Sequence, residues 1–150
     1  MSQYNDINID PITFEVMRSV FEFASDRMAT VLQRSSFFPI LADMLDFSNA
    51  IYDADLQLLS QAANCPVHLA AMKFSAEALK GIGQENVYEG DVLVLNDPYR
   101  GGTHINDITF IKPIFYKKQL IGYGVSRGHW MDLGGGGAGG QAFSTHIAAE

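Results

Sequence analysis

The sequence predicts an α+β fold: a long N-terminal amphipathic helix, a β-hairpin, a second helix, and a mixed or antiparallel sheet. Three observations carry this. Helical periodicity is confined to two segments, runs of branched and aromatic residues between turn signals fill the second half, and neither a repeat nor a linker divides the chain. Asp10-Pro11 is an N-cap residue followed by proline at the first helical position. Met17, Val20, Phe21, Ala24, Met28, Val31 and Leu32 then recur at helical steps to about Arg34-Ser35-Ser36, predicting one helix with its apolar face buried. Phe14, Phe23 and Met28 are expected to be core on the same periodicity.

After Pro39, Phe47 to Tyr52 and Leu56 to Ser60 flank the polar link Asp53-Ala54-Asp55, which reads as a hairpin. Leu69, Met72, Ala76 and Leu79 return to helical steps between about His68 and Lys80, with Gly81 expected at C′. Val92 to Leu95, Ile108 to Phe115 and Leu120 to Val125 read as strands, punctuated by Asn-Asp-Pro, Tyr-Lys-Lys-Gln and glycine-rich turns.

Composition narrows the function classes. A chain of 150 residues, 47% hydrophobic and 18% charged, is long enough for one cored domain. A net charge of −7 with only ten Lys and Arg argues against a nucleic-acid groove or an anionic membrane surface. The polar, acidic start and the lack of a long apolar run predict a cytoplasmic protein. Cys65 is the only cysteine, so no intrachain disulfide can form; CPVH reads as a thiol buried before a helix rather than a nucleophile.

Chemistry concentrates between Asn96 and Gly137, in NDPYRGGTHINDITF and SRGHWMDLGGGG. Histidine nitrogen and carboxylate oxygen bind divalent metals, and His104, Asp107 and His129 are the candidate triad, with coordination positions left open for water or substrate. His104 and Asp107, three apart, would face opposite ways in a straight strand, but Gly101 and Gly102 predict a loop in which both aim at one point. His129 is expected just beyond a strand end. Asp132 is a fourth ligand, a base, or a partner orienting an imidazole. Six glycines in the seven residues Gly134 to Gly140 make either a flexible connection or an anion-holding nest. A phosphate loop of the G-x-x-x-x-G-K type is absent.

DPITFEVMRSVF, LQRSSFFPIL, DFSNAIYDADLQLLSQA, PVHLAAM, GDVLVLNDPYRGGTHINDITFIKPIF and SRGHWMDLGG, in this order, resemble the N-terminal part of the hydantoinase B/oxoprolinase family. The family's polypeptides continue well past the glycine-rich motif, so residues 1–150 read as a single segment, incomplete at its C-terminus. The resemblance implies a Gly-rich metal loop in which His104, Asp107 and His129 hold a divalent metal, manganese by preference, with zinc or iron as alternatives. It implies a multisubunit, ATP-dependent cyclic amidohydrolase in which a partner A-type subunit binds the ATP and activates a hydantoin or lactam. Arg127 resembles the family's arginine before the histidine; it either holds phosphate or carboxylate or is a paired surface residue, and Asp132 is the candidate base. Many members carry a second histidine where this chain has Trp130. Two alternatives stand beside this: a subunit of the acetone or acetophenone carboxylase type, acting on a ketone, and a non-catalytic fragment or assembly module. A non-haem iron oxygenase ranks last, because its close H-x-D pair is missing.

Overall fold

The computed structural model describes residues 9–62 and 64–134. Helix α1 spans Pro11–Ser35, the single turn α2 spans Pro39–Ala42, and β1 (Phe47–Asp53) and β2 (Leu58–Ala62) form the predicted hairpin. Helix α3 follows at Pro66–Glu77, then β3 (Leu93–Leu95), β4 (Asp107–Tyr116) and β5 (Gln119–His129). The sheet order is β2-β1-β5-β4-β3 and every neighbouring pair is antiparallel.

The sheet is a middle layer. Phe47 and Ala62 meet Ala29 of α1 and Leu41 of α2 on one side, while Ala50, Tyr52, Ile111, Tyr123 and Val125 meet Met72, Ala76 and Leu79 on the other. Strand β1 runs between these layers and is buried on both faces from Phe47 to Tyr52, which explains its lack of polar alternation. Pro113 sits in β4 beyond the reach of β3, whose partners end at Ile111, so its missing N–H costs the ladder nothing.

Local chemistry sets the ends of these elements. Asp10 caps α1 by accepting from the backbone N–H groups of Ile12 and Thr13 at 3.1 and 3.0 Å. In the β4–β5 hairpin Lys117 and Lys118 both take positive φ, 47° and 67°, the turn that matches strand twist, though neither residue favours it.

Three expectations need correcting. The apolar stripe of α1 is not buried along its length: Phe14, Val20, Phe23 and Val31 are exposed and Met28 is half-buried, while only Ser25 and Ala29 are fully covered. Periodicity reports that a face exists, not that these residues supply its cover. Gly81 does not stop the second helix from a left-handed C′ position; α3 tightens into a 3₁₀ turn at Ala78–Gly81, and positive φ is first taken two residues later, at Gly83. Strand β5 runs past Val125 to His129, because β1 and β4 flank it on both sides to that point.

Candidate metal centre

The α3 side of the sheet changes character along its length. Cross-strand pairs on this face run from Pro113–Tyr123 and Ile111–Val125 to Thr109–Arg127 and finally Asp107–His129. The apolar core thus gives way to a polar end. Helix α3 and the 3₁₀ turn after it repeat the gradient, with Leu79, Ala76 and Met72 over the apolar pairs and Ser75 and His68 buried toward the polar ones.

Asp107 opens β4 and His129 closes β5, so the ladder register places their side chains together. His129 Nδ1 lies 2.8 Å from Asp107 Oδ1. The other carboxylate oxygen organises the preceding turn. Asp107 Oδ2 accepts from the His104 backbone N–H at 2.8 Å and from the Thr103 hydroxyl, while the His104 carbonyl accepts from the Asp107 N–H at 3.1 Å. This turn brings the His104 side chain back over the carboxylate, with Nδ1 at 3.1 Å from Oδ2. The two imidazoles meet edge to face, centroids 5.5 Å apart. The predicted convergence of His104 and Asp107 is present. Asp107, however, is the first residue of β4 rather than part of the loop, and His129 is the last residue of β5 rather than lying beyond it.

Asp107 has no solvent exposure, the His129 side chain 12% and the His104 side chain 67%, so the cluster opens outward past His104. Burial pushes the Asp107 carboxyl up. Hydrogen bonds from Thr103, His129 and the His104 backbone, with the nearby His68 ring, outweigh it and hold the group below the usual carboxylate range.

Arg127 is fully buried beneath this cluster. Its Nε donates to Thr109 Oγ1 at 2.7 Å, and its Nη2 donates to the Gly101 carbonyl at 2.6 Å and to the Ser75 hydroxyl. The guanidinium therefore pins the Pro98–Gly102 loop and α3 to the sheet. Gly101, at φ +95°, sits so close to α3 that a Cβ would fall 2.4 Å from the Ser75 nitrogen. Burial lowers the Arg127 pKa, opposed by the charge of Asp107 and the Tyr52 hydroxyl. Of its nitrogens, Nη1 alone has no hydrogen-bond partner among the described residues. Asp97 and Asn96 shape the same loop: Asp97 Oδ1 accepts from the Tyr99 N–H at 2.9 Å and Asn96 Nδ2 donates to the Ile105 carbonyl at 3.1 Å.

Asp132 is exposed, and its carboxylate accepts from the Gly134 N–H at 2.7 Å. It is not among the residues that converge on Asp107. Residues 135–140 of the glycine cluster lie outside the described residues.

A second group was missed in the sequence. Asp46, Cys65 and His68 bring one potential donor atom each within 4.8 Å of one another, as His104, Asp107 and His129 do. His68 Nε2 is 2.9 Å from Asp46 Oδ1, and His68 Nδ1 is 4.0 Å from Asp107 Oδ2. The available signal was that His68 heads the apolar stripe of α3, an unusual place for a histidine. Cys65, half-buried at the α3 N-cap position, is not sealed in the core.

The profile of the hydantoinase B/oxoprolinase family matches residues 10–150. The chain belongs to that family. It is 40% identical over 127 residues to 5-oxoprolinase 1 of Arabidopsis thaliana, covering 84% of this chain and 10% of the plant protein. It is 35% identical over 127 residues to the caprolactamase subunit beta of Pseudomonas jessenii, covering 85% and 22%. The crystal structure of that ATP-dependent caprolactamase superposes with a TM-score of 0.76 at 33% identity, over 85% of this chain and 22% of its counterpart. A nucleotide-free acetone carboxylase also reaches 0.76, at 22% identity over 84% and 17%, a likeness of fold alone. The chain thus spans between a tenth and a quarter of the length of these proteins. Among the described residues, no helix is long and apolar enough to cross a membrane.

Proposed function

We propose that this chain is the N-terminal, metal-holding part of the B subunit of an ATP-dependent amidohydrolase acting on a cyclic amide, a hydantoin or lactam. The single observation that carries the reading is the convergence of His104, Asp107 and His129 at the polar end of the sheet. Likeness to a caprolactamase beta subunit and to 5-oxoprolinases favours amide opening. The acetone carboxylase likeness carries the fold and gives carboxylation no separate support.

The residues fit a divalent cation. Two donors about 2.1 Å from one ion and adjacent in its shell are ~3.0 Å apart, and Asp107 stands 2.8 Å from one imidazole nitrogen and 3.1 Å from the other. Two nitrogens and a carboxylate suit manganese, iron or zinc, and manganese is the ion this reading favours. When bound, the cation would polarise the activated substrate or supply hydroxide near neutral pH. Asp107, kept ionised by its hydrogen bonds, presents negative charge to it. Arg127 holds the loop and helix that position His104 and Asp107, rather than reaching out as a phosphate clamp. The exposed Asp132 is the candidate base.

In this reading ATP is bound by a partner A-type subunit, which activates the amide oxygen. Its exposed position makes His104 the residue first met by an arriving intermediate. The test combines the purified subunit pair, ATP, manganese and a lactam, with ring-opened acid as the readout. Product formation lost in His129→Ala supports the reading; equal turnover in wild type and His129→Ala contradicts it.

A further inference from the structure

Every residue of α1 from Pro11 to Val20 is exposed. The helix first bonds to the sheet at Phe21, whose carbonyl accepts from the Ser60 hydroxyl at 2.8 Å, so the part before it projects as an arm. That arm carries apolar surface. Ile12, Val16 and Val20 continue into Phe23 and Val31 as an exposed stripe along a helix ~37 Å long. A helical arm this short is marginal in water by itself, and a contiguous apolar face of this extent marks an interaction surface.

The stripe reads the same from either end. Ile12, Val16, Val20, Phe23, Arg27 and Val31 are four, four, three, four and four residues apart and lie within an arc of about 100°. They are symmetric about the midpoint between Phe21 and Glu22, as an interface made by the same patch on two copies requires. An antiparallel copy of α1 centred there sets Ile12 against Val31, Val20 against Phe23, and Val16 against the aliphatic stem of Arg27. Charge agrees with this direction. Glu15 of one copy falls beside Arg27 of the other, and Arg27 has no acidic partner among the described residues. A parallel pair would instead set Glu15 against Glu15 and Arg27 against Arg27.

We propose that α1 is a dimerisation helix: two copies of this chain pair antiparallel through it, each arm covering the exposed stripe on the second half of the other helix. The groove beside that half, lined by Ala24, Met28, Val31 and Leu32, receives Met17 of the arriving arm. The inference is independent of the metal reading, because α1 lies on the opposite side of the sheet from Asp107 and His129. The stripe stabilises the dimer and not the monomer, so unfolding of dilute, monomeric chain does not depend on it.

Sedimentation equilibrium of the full chain is expected to give a dimer that dissociates on dilution. Val20→Asp and Phe23→Asp, each setting an unpaired carboxylate into the stripe, are expected to raise the dissociation constant at least about a hundredfold, with unchanged circular dichroism and unchanged manganese uptake. In a Cys65→Ser background, Ile12→Cys combined with Val31→Cys is expected to oxidise to a covalent dimer, whereas Ile12→Cys alone forms none. A wild-type chain that sediments as a monomer at every concentration would overturn the inference and leave the stripe to another polypeptide, the length that the longer relatives carry outside the matched region. Unaltered dimerisation in both aspartate variants, or a covalent dimer from Ile12→Cys alone, would overturn it too. None of these outcomes bears on the metal centre.

Discussion

Asp107 and His129 are partners across the β4–β5 ladder, and 2.8 Å separates Oδ1 of one from Nδ1 of the other. The same carboxylate ties down the turn that carries His104. One buried side chain therefore assembles the whole cluster. Asp107→Ala would leave the Thr103 hydroxyl, the His104 N–H and His129 Nδ1 without their acceptor. The expected cost is about 2–3 kcal/mol, read by urea unfolding, together with loss of metal binding. A variant as stable as wild type would show that the carboxylate does not organise the turn.

Acid should act on the same residue. The folded-state pKa of Asp107 lies below its unfolded value of about 3.9. Its contribution to stability is therefore complete above the unfolded pKa and disappears as pH falls through the lowered folded one. Metal-free wild type should lose stability more steeply below about pH 4 than Asp107→Asn does. Parallel acid unfolding curves for the two would contradict the shift.

Arg127→Lys is expected to destabilise the chain by about 1–3 kcal/mol. A lysine cannot reproduce the fork that reaches Thr109, Gly101 and Ser75 together. If Arg127 instead served a bound anion, the variant would keep its thermal midpoint and weaken only substrate binding. Differential scanning calorimetry beside KM separates the two.

The exposed stripe of α1 makes a contrast with the α3 side. Phe23→Ala should change stability by no more than about 0.5 kcal/mol, since the residue is 66% exposed. Met72→Ala, at a residue with no exposure in the main core, should cost about 2–5 kcal/mol. Comparable losses in the two variants would mean that Phe23 is covered.

The kinds of element were legible in the sequence because their signals are local. Asp10-Pro11 capped α1, branched and aromatic runs became β1, β4 and β5, and the Tyr-Lys-Lys-Gln turn closed the β4–β5 hairpin. The meeting of His104 with Asp107 was equally local, a turn closed on its own carboxylate. The position of His129 depended on strand register, which fixes partners 22 residues apart and has no mark in composition. Asp46 and His68 escaped notice for the same reason, since only the packing of α3 on the sheet brings them together. Arg127 looked like a residue available for an anion because its three acceptors lie on a different helix, loop and strand. The bareness of Phe14 and Phe23 was hidden because helical spacing identifies a face without naming its cover.

The most direct measurement is the metal content of the purified chain by elemental analysis, in wild type and in His104→Ala and His129→Ala variants prepared alongside it. One divalent ion per wild-type chain, lost or sharply reduced in both variants, is the expected result. A folded wild-type chain that takes up no manganese, zinc or iron, or variants that retain the ion in full, would contradict a metal centre built on Asp107.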